Sequence, residues 1–224
     1  MNEKKICFIM CVNNDEMEQE CLKYLNRLQI PEGYEIDQIS VREAGCMTEG
    51  YEAAMESSDA KYKVYMHQDV MLVNPHLIQD LLMVFQNSEI GMIGMIGAPE
   101  LCNTGVMWEG ERVGRIYTSN ILNSGEAQVG VTQAPWQEVE TVDGLFMATQ
   151  YDLPWREDLF RGWDFYDAAQ SLEFRKAEYK VVVPYMDQPW CIHDDGMIHL
   201  DDYFKWHKIF MDEYQDYLKC NQKN

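Results

Sequence analysis

The sequence predicts an α/β domain with a mostly parallel central sheet and helices on both faces. Three observations carry this. Short apolar runs rich in β-branched and aromatic residues alternate with longer segments whose apolar residues recur at helical spacing. Two of the runs, "KKICFIMCVNN" and "YKVYMHQDV", end in polar residues without an intervening turn. The strand, helix, strand, helix, strand order at the start of the chain implies right-handed crossovers, and sheets of that kind bind ligands beyond the carboxyl ends of their strands.

"KKICFIMCVNN" reads as a central strand stopping at a polar crevice, and "DEMEQECLKYLNRLQ" as a helix with acids in its first turn and Met17, Cys21, Leu22, Leu25 and Leu28 on one face. "YEIDQISVRE" alternates less cleanly but is most simply a second strand. "MTEGYEAAMES" is a short helix opened by Thr48, and "KYKVYM" a third strand that delivers His67, Gln68 and Asp69 at its end. "NPHLIQDLLMVFQNS" is a helix with Asn74 as N-cap and Pro75 in its first turn.

The repeated Gly-Met-Ile of "IGMIGMIGAPE" suggests a close-packed buried strand rather than a phosphate cradle, because no helix pattern or Lys-Ser/Thr follows it. Residues 99–138 lack sustained periodicity and read as an irregular insertion or lid. "VETVDGLFMATQ" restores a strand interrupted at Asp143-Gly144, where a glycine marks a bulge or the close approach of a ligand. "DFYDAAQSLEFRKAEY" is a helix capped by Asp164, "KVVVP" a strand stopped by proline, and "CIHDDG" leads into an amphipathic C-terminal helix. The expected organisation is one domain over 1–224, with the insertion (99–138) between a first part (1–98) and a last part that ends in the C-terminal helix (139–224).

Composition narrows the function. With 38 acidic and 18 basic side chains the formal net charge is −20, which repels polyanions and argues against nucleic acid and anionic lipid as partners. Partners should be neutral, or anions screened by a bound cation. Seven cysteines without a CxxC pair read as reduced thiols, and with no secretory start the expected location is the cytoplasm. Cys7 and Cys11 share a strand face, and burial as small apolar thiols is a plainer reading than zinc ligation. No apolar run is long enough to span a membrane.

Among polar residues, Asp164, Asp167, Ser171 and Arg175 fall in one stripe of the predicted helix. Asp164 is read either as the helix cap or as a general base at the crevice mouth, with Asp167 and Arg175 holding the geometry through a charge pair. Asp69 and His193, each at a strand end, suit a hard divalent cation, an imidazole joining when the ion is manganese; the alternatives are a surface aspartate and a hydrogen-bonded loop histidine. His67 reads as a hydrogen-bonding residue before a ligand. His76, His199 and His207 carry no specific signal. Trp108, Tyr117, Trp136 and Trp155 are candidates for stacking on a ligand ring, although packing is the commoner role of such residues.

The order of these segments resembles the family 2 glycosyltransferases of the GT-A fold, and more closely a glycosyltransferase-like branch with His-Gln-Asp in place of Asp-x-Asp. The resemblance covers nearly the whole chain, and implies a nucleotide-binding half over 1–98 and an acceptor-side half with the C-terminal helix over 139–224. It rests on "CVNN", "EAGCMTEGYEAAM", "YKVYMHQDVML", "VDGLFMAT" and "GWDFYDAAQSLEFRKAEYKVVVP", the last two being the most specific.

The resemblance implies a nucleotide-diphospho-sugar transferase fold and inverting, metal-assisted transfer of a sugar from a nucleotide-diphosphate donor to a glycan or other hydroxyl acceptor. It implies Asp69 and His193 as ligands of a Mn or Mg ion, and Asp164 as catalytic base, with Asp167 as its substitute and Arg175 beside it. It further implies Val12, Asn13 and Arg42 around the nucleobase and ribose, His67, Gln68 and Asp69 on the donor side, and Asp143 and Gly144 where donor sugar or acceptor is met. Two departures stand out. His67 and Gln68 replace acids of the commoner motif, implying a weakly held cation, and Trp163 replaces the Glu that precedes the base. A non-catalytic nucleotide-sugar-binding module and a metal-dependent hydrolase are the competing classes.

Overall fold

The computed structural model describes residues 1–120, 124–130, 134–196 and 200–218. The chain opens with β1 (Asn2–Val12), α1 (Asp15–Leu25), β2 (Glu35–Arg42), α2 (Met47–Ser57) and β3 (Ala60–Met66). A three-residue turn leads to β4 (Val70–Leu72), then α3 (Leu77–Val84), β5 (Ile90–Gly94) and β6 (Ile96–Ala98). The middle contains β7 (Val113–Asn120), β8 (Ser124–Gly130), β9 (Trp136–Val139), β10 (Thr141–Val142) and β11 (Phe146–Thr149). The chain finishes with α4 (Tyr166–Lys176), β12 (Lys180–Pro184), β13 (Cys191–Gly196) and α5 (Tyr203–Tyr214).

The strands form two sheets. The larger runs β2-β1-β3-β11-β5-β12-β9, and the smaller β10-β6-β7-β13-β4 with β8 paired to β7. In the larger sheet β1, β2, β3, β5 and β12 run one way, and β11 and β9 run against them. The expected parallel frame is therefore present, with antiparallel strands at two positions. β11 follows β10 after a short break with no crossover helix, which is the connection a parallel partner would need.

Residues Ile6 to Met10 of β1 are buried one after another, so both faces of this strand are covered. α2 packs on β1 and β2 so closely that a Cβ on Gly50 would lie 2.6 Å from Cys11 Sγ. Burying side chains such as Phe8, Ile9 and Phe146 stabilises the fold by roughly 1.5–3 kcal/mol each. The Gly-Met-Ile repeat is split between the two sheets as β5 and β6. A Cβ on Gly94 would sit 2.4 Å from Val142 Cβ and one on Gly97 2.6 Å from the Thr141 carbonyl, so these glycines serve close packing, as expected.

Several local expectations are corrected. α1 is capped by Asn14, whose Oδ1 accepts the N–H of Glu16 and Met17, and it ends at Leu25 rather than running to residue 29. Thr48 does not open α2; its hydroxyl donates to the Phe160 carbonyl, pinning the helix to the segment before α4. α3 starts two residues later than predicted, because Asn74 Oδ1 accepts the His76 N–H and closes a turn instead of capping. Residues 99–138 are not simply irregular, since β7 and β8 form a hairpin and β7 lies in the second sheet between β6 and β13. Partners far along the chain complete these strands, a signal that no short sequence window contains. His199 lies outside the described residues.

Candidate active site

The site forms where the two sheets meet, at the carboxyl ends of β1 and β3 and the start of β4. After β1 the chain turns through Asn13 and Asn14, and Gln68 braces this turn. Its Oε1 accepts the backbone N–H of Asn13 at 3.1 Å and of Asn14 at 3.0 Å, while its Nε2 donates to Asn13 Oδ1 at 2.5 Å. A carboxylate at this position could accept the first two bonds but could not make the third. Val12 is buried beside Arg42 in the β1/β2 register, and Arg42 is engaged by Asp15 at 2.6 Å and by Glu18.

Strand pairing brings the cation candidates together. Val70 faces His193 across the β4/β13 ladder, and the Asp194 N–H donates to the Asp69 carbonyl at 3.0 Å. Asp69 Oδ1 then lies 3.5 Å from His193 Nε2 and 3.9 Å from His67 Nδ1, and one donor atom from each residue falls within 4.8 Å of the other two. This carboxylate oxygen is buried and accepts no hydrogen bond. Burial pushes the Asp69 carboxyl upward, but the imidazoles of His193 and His67 more than offset it and hold the group below the usual aspartate range. Burial also pushes the His67 imidazole down, keeping it neutral and able to donate a lone pair near pH 7. A buried oxygen without a hydrogen bond, facing two imidazoles, fits a divalent cation. His67 thus adds a third candidate ligand to the two expected.

Next to this group lies a cleft of about 200 Å³ with His67 on its wall. Its floor is the Asp143-Gly144 break between β10 and β11, one side is the start of α4, and Tyr203 of α5 and the 3-10 turn at Met107–Glu109 close it. The expected residues Asp143, Gly144, Asp164 and Asp167 all line it. Leu145 donates its N–H to Asp143 Oδ1 at 2.9 Å, fixing the break as a tight turn. Gly144 is required there, because a Cβ would lie 2.1 Å from the Tyr166 hydroxyl. That hydroxyl is 2.6 Å from His67 Nε2.

Asp164 does not cap α4. The residue between it and the helix, Phe165, adopts φ 61°, a left-handed conformation costing about 1–2 kcal/mol in a non-glycine residue. The rings of Tyr203 at 5.0 Å and of His207 and Phe210 at 5.3 Å hold Phe165 there. The kink takes Asp164 off the helix axis and into the cleft wall. Burial, and then Asp202, push its carboxyl above the usual aspartate range.

Asp167 is braced instead. Gly144 and Ala168 donate backbone N–H groups to its two oxygens, both at 2.8 Å, and burial together with Asp143 raises its pKa to about 7.

Arg175 lies away from the cleft and does not pair with Asp167, which corrects the expected charge pair. Its guanidinium binds Glu138 at 3.3 Å, Glu140 at 3.9 Å and the Val139 carbonyl at 3.2 Å, because it is more than two turns further along α4 and faces β9. Trp155 packs in the core between Tyr51 and Tyr65, so it is not a sugar platform. Sequence reasoning missed Tyr166, Tyr203 and the exposure of Trp163. For Tyr166 a signal existed in its position two residues after the candidate base.

The profile of a family described as "Glycosyltransferase like family" matches residues 7–214. No curated protein matches in sequence. Among solved structures, residues 1–349 of TarS from S. aureus in complex with UDP align with a TM-score of 0.54 at 12% identity, covering 93% of this chain and 65% of that one. The mannosyltransferase PcManGT from Pyrobaculum calidifontis, in complex with GDP-Man and Mn2+, gives 0.56 at 9% identity, covering 86% of this chain and 57% of that one. GalNAc-T7 with UDP, GalNAc and Mn2+ gives 0.61 at 10% identity, covering 96% and 50%. The chain spans about half to two thirds of the length of these structures. At such identities the likeness establishes the fold, that of the GT-A glycosyltransferases.

Proposed function

The chain belongs to this glycosyltransferase-like family, and from that premise we propose that it transfers a sugar from a nucleotide-diphosphate sugar to an acceptor hydroxyl, with inversion and with the help of a divalent cation. The observation that carries this reading is the Asp69 oxygen, buried without a hydrogen bond between His67 and His193 and next to a cleft that holds Asp164.

In this reading Asp69, His67 and His193 hold the cation, and a set of two imidazoles and one carboxylate suits Mn2+ better than Mg2+. The bound cation would neutralise charge on the leaving diphosphate. Val12, Asn13 and Arg42 receive the nucleobase and ribose, on a turn that Gln68 keeps in place. The Asp143-Gly144 turn, fixed from below by Asp167, supports the donor sugar. Asp164 is the base. Among the described residues its carboxylate accepts no hydrogen bond, whereas Asp167 is committed to two backbone N–H groups, and a carboxyl raised above the ordinary range is a stronger proton acceptor. Direct attack of the hydroxyl on the anomeric carbon, in a single displacement, inverts its configuration. Arg175 contributes by fixing β9 to α4 rather than by touching substrate.

Melting temperatures of the chain with UDP or GDP, each with and without Mn2+ or Mg2+, test the proposal. A ligand that binds the folded form raises the transition, by an amount set by its concentration relative to Kd. At least one nucleotide should give a rise that needs the cation. No rise with either nucleotide in saturating Mn2+ would sink the reading.

A further inference from the structure

The sequence contains six tryptophans. Trp155, Trp190 and Trp206 are buried and Trp136 is half-buried; only Trp108 and Trp163 are exposed, at 47% and 51%. Both line the cleft that holds Asp164. Trp163 directly precedes that aspartate, and Trp108 sits on the 3-10 turn that closes the cleft. Arg112 covers one face of the Trp108 ring at 4.8 Å and so fixes its orientation. Indole rings are usually drawn into the core, so two of them left in water on a single cleft constitute ready-made stacking surface.

The charge of the cleft narrows the ligand further. Three aspartates line it, at 143, 164 and 167, and none of its lining residues is lysine or arginine. With the cation engaged by the donor diphosphate, a phosphorylated or carboxylated acceptor would meet three carboxylates and no lining lysine or arginine. A hydroxylated ring of no net charge meets apolar indole faces for its C–H groups and carboxylate acceptors for its hydroxyls.

We infer that the acceptor is a neutral saccharide whose terminal ring stacks on Trp163 and Trp108, presenting a hydroxyl to Asp164. This deepens the transfer reading above and rests on it. It also accounts for the tryptophan that stands before the base: at this position the chain carries a platform for the acceptor instead of an acid.

Saturation-transfer NMR on the full chain tests the inference, in Mn2+ with whichever of UDP and GDP raises the melting temperature. The probes are methyl glycosides of neutral hexoses and N-acetylhexosamines, set against glucuronate and glucose 6-phosphate. At least one neutral glycoside should bind and the anions should not. Trp163→Ala and Trp108→Ala should each weaken that binding about tenfold. Tyr185→Ala, an exposed aromatic away from the cleft, should leave it unchanged, and the nucleotide-induced melting shift should survive in all three variants. Preferential binding of the anions, undiminished binding in both tryptophan variants, or no glycoside binding by a chain that does bind nucleotide would overturn the inference alone. A wild-type chain that binds no nucleotide would overturn it together with the reading beneath it.

Discussion

The Tyr166 hydroxyl lies 2.6 Å from His67 Nε2, tying the first residue of α4 to the strand end that carries Asp69. His67 Nδ1 is 3.9 Å from Asp69, too far for a hydrogen bond. With the ring proton on Nε2, donated to Tyr166, the Nδ1 lone pair would face the proposed cation position. In the transfer reading, this contact ties the tautomer of the proposed ligand to the spacing between the proposed cation group and the cleft.

Tyr166→Phe should accordingly weaken Mn2+ binding by about 10–100-fold, the usual cost of losing a partner behind a ligand histidine. Free Mn2+ measured by electron paramagnetic resonance reads this without any turnover. In a His67→Ala background the same change should have little further effect; equal losses in both backgrounds would show that Tyr166 acts on packing alone.

Asp164→Asn should lower turnover by about 10²–10⁴-fold while leaving the cation-dependent nucleotide shift intact. The carboxylate makes no hydrogen bond to the described residues, so its loss should cost little stability. Initial rates of donor consumption with acceptor, compared with melting shifts, separate the two effects. Unchanged rates would move the base elsewhere, and a chain with no turnover to lose would be a binding module.

Asp167 gives the fold a pH signature. Its pKa of about 7 in the folded chain lies above the ordinary 3.8, so the folded state holds its proton more tightly than the unfolded state. That contribution to stability is complete below the unfolded pKa and disappears as pH rises through the folded one. Between pH 5 and 8 the stability of the wild type relative to Asp167→Asn should fall by about 2–3 kcal/mol. Urea unfolding of both proteins across that range measures it, and a flat difference would mean that Asp167 is ionised throughout.

Gln68→Ala removes three hydrogen bonds from the turn after β1, one through its own Nε2 and two into its Oε1. Each contributes about 0.5–1.5 kcal/mol, but water replaces much of this at an exposed turn, so a loss of about 1–2 kcal/mol is expected. Nucleotide affinity should fall as well, since the turn is its proposed seat. Gln68→Glu should recover most of the stability by keeping both acceptor bonds, while placing a negative charge beside the donor.

Much of this molecule is legible in the chain itself. Periodicity and polar strand ends identify β1, β3, α1, α2 and the Asp143-Gly144 break, because each depends on neighbours a few residues away. Asp69 and His193 are conspicuous for the same reason, as ionisable groups at the ends of apolar runs, and Asp164 as the acid at the start of a predicted helix. The helix assignment around residue 164 fails by one residue at its cap: no local rule signals that Phe165 takes a left-handed conformation, which Tyr203, His207 and Phe210 hold from another helix.

Only the tertiary structure decides the rest. The pairing of Val70 with His193 makes one candidate cation group of residues in distant segments, and the pairing of β9 with β12 leaves Glu138 within reach of Arg175, which does not pair with Asp167. β7 and β8 are strands because β6 and β13 supply partners for β7. The division follows from the range of the forces: helix periodicity and strand alternation are set by bonds and side chains close in sequence, whereas a site depends on long-range strand register, which forms only when remote segments bury their apolar faces together.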